Sequence, residues 1–174
     1  MKEFDMNEYR TIIDKLNMMA HPEGGFYRRN WQSLLMGNVK DNTGKEIFPN
    51  RFIGSSIIYL LPENMVCKWH RVKCDEMWHH YRGTALKMYL LSQKGLETII
   101  LGSDIISGEM PQFLIPRNTW FAAELIEPKD YALCGCTLWP TFSYTDFELA
   151  ETDSLVDDFP AQKEIIERIQ NHAQ

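Results

Sequence analysis

The sequence predicts an all-β barrel or sandwich with one helix at each end, and three observations predict it. Short β-rich runs recur along the middle of the chain, each stopped by a turn signal. Nothing between them carries the apolar spacing of a crossover helix, which argues against a parallel βαβ sheet. Helical spacing is confined to the two ends.

At the N-terminal end, Met6, Tyr9, Ile12, Ile13, Leu16 and Met19 recur three and four residues apart. This predicts a helix over about 6–19, with Asp5 or Asn7 as N-cap. His21-Pro22 stops it, and Gly24-Gly25 lets the chain turn sharply. Extended runs follow at 26–31, 52–61, 76–82, 85–91, 96–101, 112–115, 119–126 and 131–139. These are about eight strands, spaced as in a sandwich or barrel. Residues 37–46 are polar and glycine-bearing and predict an exposed loop. After Pro160, Ile165, Ile166 and Ile169 form the stripe of a closing helix over about 161–172. The barrel then occupies about 24–150, and residues 1–174 read as a single domain, a size that needs no disulfide or metal to stabilise a core.

Composition excludes several classes of partner. The formal net charge is −6, and the densest basic stretch, Lys68, His70, Arg71 and Lys73, runs straight into Asp75 and Glu76. No clustered basic face exists for a phosphate backbone, so no nucleic-acid partner is expected. No run of about 18 apolar residues predicts a membrane span, and the first residues lack the apolar stretch of a signal peptide. Cys67, Cys74, Cys134 and Cys136 form no C-x2-C pair and read as buried free thiols. A cytoplasmic location is expected. No glycine-rich nucleotide-cofactor motif is present.

Candidate chemistry gathers in one short stretch. His70, His79 and His80 lie within eleven residues, beside Glu76. Imidazole and carboxylate are the usual ligands of divalent metals and also the usual general acids and bases. Strand alternation places Glu76, Trp78 and His80 on one face and Met77, His79 and Tyr81 on the other. The interior set is then His70, Glu76 and His80. Further along, Gln112 can orient a carbonyl or hydroxyl, and Trp120 can stack on a ring. Arg28 and Arg117 can pair with phosphate or carboxylate, although a surface role suits Arg117 in its turn.

These residues carry a resemblance. Residues 76–83, E-x6-G, look like the second half of the first cupin motif, H-x-H-x3-4-E-x6-G, and His70 falls on its first histidine. Residues 108–121 are similar to the second motif, with Pro116 on its proline after a spacer lengthened by two. Residues 21–151 resemble the cupin five family more closely. The marks are His21-Pro22-Glu23-Gly24-Gly25-Phe26-Tyr27-Arg28, Ser55-Ser56-Ile57-Ile58-Tyr59-Leu60-Leu61, Asp75-Glu76-Met77-Trp78-His79, Leu101-Gly102-Ser103-Asp104, and Phe147-Glu148-Leu149-Ala150.

The resemblance implies a cupin-type double-stranded β-helix, or jelly-roll barrel, a homodimer, and kinship with sugar-nucleotide epimerases and storage cupins. Val72 and Phe121 stand where two of the four usual metal histidines would be. A metal site would therefore rest on His70 and Glu76 with either His80, favoured by strand parity, or His79, favoured by the family pattern.

Three functions follow as expectations. The first is a metal-independent isomerase or epimerase acting on a small polar, nucleotide-linked or phosphorylated substrate. His70 and Glu76 would move a proton, Tyr59, Tyr27 or Tyr81 would donate one, and Arg28 and Lys68 would hold phosphate. Trp78, His79, His80, Gln112 and Trp120 complete the expected pocket. The second is an oxygenase or lyase using a divalent metal. The third is a non-catalytic small-molecule-binding barrel.

Overall fold

The computed structural model describes residues 8–173, so Met6 and the expected N-cap at Asp5 or Asn7 lie outside them. The first helix, α1 (Glu8–Leu16), is followed by β1 (Met19–Ala20), β2 (Phe26–Gln32), β3 (Met36–Lys40) and β4 (Glu46–Phe52). Next come β5 (Ser55–Pro62), β6 (Cys67–Val72), β7 (Asp75–Gly83), β8 (Leu86–Ser92) and β9 (Gly95–Leu101). The last strands are β10 (Gln112–Ile115), β11 (Trp120–Leu125), β12 (Tyr131–Trp139) and β13 (Phe147–Leu149). Helices α2 (Thr152–Asp158) and α3 (Lys163–Gln170) close the chain.

The strands form two antiparallel sheets, ordered β1-β2-β5-β12-β7-β10 and β13-β6-β11-β8-β9. Their inner faces meet in one apolar core. Tyr59, Leu61, Trp78 and Cys136 come from the first sheet, and Met88, Leu90, Phe121 and Ala123 from the second. This is the jelly-roll arrangement that the sequence predicts, with apolar side chains alternating into the space between sheets.

Both outer faces are also partly covered, which explains strands that are apolar on successive residues. Ile12, Ile13 and Leu16 of α1 pack on the outer side of the first sheet, against Leu60 and Tyr131. Ile166 and Ile169 of α3 pack on the outer side of the second, against Trp69, Tyr89 and Ala122. Gln170 pins that helix down. Its amide donates to the Ala150 carbonyl at 2.7 Å and its oxygen accepts from the Trp69 N–H at 3.0 Å. Both backbone groups would otherwise be buried without partners.

Four sequence expectations are corrected. Residues 37–46 are a loop only over 41–45: β3 and β4 pair on either side as a separate hairpin whose tip is tied by Asp41, which accepts from the Thr43 and Lys45 amides. The asparagine and glycine of that tip read as loop residues, but they are turn residues between two short strands. The run starting at Phe52 is two strands, since Phe52 ends β4 and Gly54 separates it from β5. Strand β6 was not foreseen, because its Lys68 and Arg71 break apolar alternation. The closing helix over 161–172 is shorter than expected and is preceded by α2 and a single 3-10 turn at Pro160–Gln162. No helix among the described residues is long and apolar enough to cross a membrane.

Candidate functional site

Glu23 is placed by its neighbours in sequence. Gly24 and Gly25 both have positive φ, 108° and 71°, a conformation that costs any residue with a side chain. A Cβ on Gly25 would stand 2.7 Å from the Leu60 carbonyl and from the Tyr59 hydroxyl. The turn therefore needs glycine, and it directs the Glu23 carboxylate inward just before β2 begins. The Glu23 backbone carbonyl accepts from the Lys68 amide at 2.7 Å, which fastens the turn to β6.

An irregularity in β6 supplies the partners. Phe121 pairs with His70 but Ala123 pairs with Cys67, so β6 carries an extra residue there. This bulge puts Cys67 and His70, three positions apart, on the same interior side, while Trp69 faces outward to α3. Simple alternation would have separated Cys67 from His70.

The resulting cluster is tight and dry. His70 Nε2 lies 3.1 Å from Glu23 Oε2, and the two side chains are 2% and 7% exposed. His21 Nδ1 lies 3.1 Å from the same oxygen. The Cys67 thiol donates to Glu23 Oε1 at 3.4 Å. Burial, reinforced by the Glu23 charge, pushes that thiol far above its ordinary value and keeps it a donor. His70 Nδ1 is 2.7 Å from the Lys68 carbonyl. A carbonyl only accepts, so Nδ1 carries a hydrogen, and one further proton belongs between Nε2 and Glu23.

Burial raises the proton affinity of Glu23, but His70, His21 and the Cys67 thiol outweigh it, and the carboxyl lies below its usual range. Burial also lowers the His70 imidazole, with the Glu23 carboxylate opposing. Both members of the pair are thus set to release the proton they share.

Glu76 behaves in the opposite way. It is 6% exposed on β7, and its Oε2 has no hydrogen-bond partner. Burial, then the nearby Glu23 charge, raises its carboxyl to about 8. Near neutrality it is an uncharged acid with a proton to give. Two carboxyl groups pushed apart in this way mark an acid and a base.

These groups line one cavity of about 40 Å³. Its wall includes Ile57, Val72, Leu138 and Phe147, and its mouth Tyr27, Arg29 and Tyr144. Tyr27 and Tyr144 touch through their hydroxyls at 3.1 Å.

His70 and Glu76 therefore share an interior, while several other expected residues lie elsewhere. Tyr59 is fully buried, donates to the Gly24 carbonyl at 2.9 Å, and is pushed well above its ordinary value by burial. It supports the glycine turn. Trp78 is a core residue, edge-on to Tyr59. His80 has the parity of Glu76 but bonds the Thr84 carbonyl at 3.2 Å, and His79 lies beside Thr137 Oγ1 at 3.4 Å. Neither lines the cavity. Gln112 is exposed on β10, and Trp120 faces outward beneath the Arg71 guanidinium, 4.4 Å from its ring. Arg28 reaches away to the Leu16 carbonyl at 2.9 Å, and Lys68 contributes its backbone, not its ammonium, to the cluster. Arg117 is on the exposed turn before β11, where its amide donates to Asp75.

Sequence reasoning missed Glu23, His21, Cys67 and Arg29 as site residues. The signal for Glu23 was an acid wedged between Pro22 and two glycines at the mouth of a strand.

Residues 10–150 match Cupin_5, the Cupin superfamily (DUF985) family. This chain belongs to that family. A protein from Shewanella oneidensis, solved by X-ray crystallography, is 32% identical over 99% of this chain and 100% of its own, with a TM-score of 0.81. A hypothetical protein from Leishmania major is 23% identical over 91% of this chain and 96% of its own, with a TM-score of 0.80. Oxalate decarboxylase from Bacillus subtilis shares the fold alone, at 15% identity and a TM-score of 0.52; the match covers 88% of this chain and 36% of that enzyme. No curated protein matches this cupin significantly.

The cupin motif's own metal set does not fit. Val72 and Phe121 fill two ligand positions with hydrocarbon, and the Phe121 ring stands 4.1 Å from that of His70. His79 and His80 are spent elsewhere. A different donor set is present: Glu23, Cys67 and His70 each offer a ligand atom, all within 4.8 Å of one another.

Glu76 links the site to stability. Its folded value, about 8, lies above the ordinary 4.5, so between those values the native state holds a proton that the unfolded chain has lost. The Glu76 contribution to stability is therefore full below about pH 4.5 and declines as pH rises toward 8. Glu76→Gln removes the decline, and its unfolding free energy from urea titration is expected to exceed the wild type's at pH 8 by on the order of 2–4 kcal/mol, and by little at pH 5. A difference independent of pH would show that Glu76 titrates as an ordinary carboxylate.

Proposed function

We propose that this cupin binds a small polar molecule inside the barrel and moves a proton on it, as an isomerase or epimerase does. The observation that carries this reading is the opposed tuning of two buried carboxyl groups on one cavity, Glu23 below its ordinary range and Glu76 above it. Once its shared proton has left to solvent, the Glu23–His70 pair takes one from a carbon beside a carbonyl and holds it between His70 Nε2 and Glu23. Glu76 gives its proton to the carbonyl oxygen, and an enol results. Delivery of a proton to the opposite face of that carbon, with Glu76 reprotonated from the enol hydroxyl, inverts the centre, and return to the same face gives exchange with solvent alone. The Cys67 thiol and the Lys68 carbonyl hold the two members of the base in register, and the apolar wall keeps water from levelling their difference.

A second reading is supported by the Glu23, Cys67 and His70 donor set. Mixed oxygen, sulfur and imidazole donors suit zinc or iron, which would supply Lewis acidity. The His70 Nδ1 bond to a backbone carbonyl is the orientation that metal-bound histidines commonly have. Stoichiometric metal in gently purified, untagged protein would favour this reading over proton transfer.

We also propose a homodimer in a reducing compartment such as the cytoplasm. Trp31, Leu34, Leu35, Met36 and Ile53 leave apolar surface exposed near the β3–β4 hairpin, and all four cysteines are free and buried. Light scattering is expected to give twice the 20.4 kDa chain mass, and a single-chain mass would remove the dimer.

The chemistry is tested by hydrogen–deuterium exchange at carbon, followed by NMR in heavy water, over a panel of small oxo and hydroxy compounds. Glu23→Gln and His70→Ala are each expected to slow exchange of an accepted compound by about 10²–10⁴-fold. Unchanged exchange in both variants would overturn the assignment. Binding without exchange of any compound would leave a ligand-binding barrel.

A further inference from the structure

Arg29 is set apart from the other arginines by lying at the mouth of the cavity without a carboxylate partner. Arg51, Arg71, Arg82 and Arg168 each pair with a carboxylate. Among the described residues, no carboxylate pairs with Arg29. Its guanidinium is held instead by neutral acceptors, Gln32 Oε1 at 3.0 Å and the Phe142 carbonyl at 3.5 Å. Strand register decides its direction. Tyr27 pairs with Tyr59 and Arg29 with Ile57, so both share the inner side of β2, while Arg28, opposite Ile58, turns out toward α1. Among the described residues, Arg29 is the one arginine or lysine on the cavity wall.

The interior of the same cavity is a poor place for a further negative charge, because it is dry and its hydrogen-bond donors are already spent on a carboxylate. The Glu23 carboxylate is already there, in surroundings where a charge is poorly screened. What the interior offers is neutral hydrogen bonding: Glu76 Oε2 is buried, faces the cavity and is unpartnered. A ligand satisfying both ends keeps its charge at the mouth and sends an uncharged carbonyl or hydroxyl inward. Size limits it further. About 40 Å³ is room for roughly three waters, too little for a sugar ring or a base. Charge limits its anionic group. Arg29 supplies one positive charge, which matches a carboxylate and leaves a phosphate's second charge uncompensated beside Glu23.

We propose that the substrate is a small monocarboxylate bearing a carbonyl or hydroxyl, with its carboxylate on Arg29 and its uncharged end against Glu76. This rests on the proton-transfer reading of the same site and narrows it, from small polar molecules to short oxo or hydroxy acids. Sugar nucleotides and phosphorylated sugars fall outside it. Arg29 is then the residue that determines specificity, and it does so by charge.

The test is a calorimetric titration of the full chain with pyruvate and lactate, against lactamide and inorganic phosphate as charge controls. Pyruvate or lactate is expected to bind saturably, and lactamide and phosphate at least tenfold more weakly. Arg29→Gln is expected to lose tenfold or more in affinity for the acid, Arg29→Lys less, and Arg28→Gln nothing. Arg29 is exposed and outside any ion pair, so its variants are expected to keep the wild-type melting temperature.

Equal binding of lactate and lactamide, tighter binding of phosphate, undiminished affinity in Arg29→Gln, or no saturable binding of either acid at tens of millimolar would each overturn the proposal. The two levels separate cleanly. Arg29-dependent acid binding without carbon-bound exchange supports the ligand class and sinks the catalytic reading. Exchange that Arg29→Gln leaves untouched supports catalysis and sinks the ligand class.

Discussion

An ionised carboxylate held almost out of water is the constraint on which the rest of this structure depends. Glu23 is 5% exposed as a residue, and an unpaired charge at that depth would cost several kcal/mol. The fold meets that cost with polar partners drawn from separate elements. His21 comes from the segment before the glycine turn, Cys67 and His70 from the bulged strand, and the turn itself is locked to that strand by a backbone bond. Removing any one of them leaves the others facing an uncompensated charge, so the cluster behaves as a unit.

The same carboxylate sets the character of its surroundings. Its charge helps keep the Cys67 thiol protonated and the Glu76 carboxyl neutral, which turns one buried charge into a graded series of proton affinities. The two sheets supply what such a series needs. Phe121, Trp78 and Phe147 wall the His70 side with rings, Leu138 and Val72 close the floor, and both sheets carry helices on their outer faces. Replacement of two motif histidines by Val72 and Phe121 is consistent with this. Hydrocarbon there dries the cavity and sharpens the difference between the two carboxyl groups.

The architecture was largely legible in the sequence, because periodicity two between turn residues survives whatever the strands pack against. Strands β7 to β12 fall close to their expected bounds for that reason. The failures have particular causes. Strand β6 hides its pattern because a bulge resets its parity, which also concealed the alliance of Cys67 with His70. The β3–β4 hairpin is mostly half-buried or exposed and so lacks an apolar signature. His70 and Glu76 could be singled out from motif spacing alone. Glu23 stands out locally as a turn acid between Pro22 and two glycines, but it lies 47 residues before His70, and no local pattern ties it to that distant strand. Arg28 and Arg29 could be told apart only by strand register, which decides the side of the sheet on which each lies.

The central claim is that two carboxyl groups on one cavity have been driven in opposite directions. Carbon-13 NMR titration of protein labelled at the glutamate side-chain carboxyl measures this directly, with Glu76→Gln and Glu23→Gln assigning the signals. The account predicts one resonance titrating near pH 8 that vanishes in Glu76→Gln, and one still ionised below the usual carboxylate range that vanishes in Glu23→Gln. Both resonances titrating together at about pH 4 to 5, as in free glutamate, would contradict it.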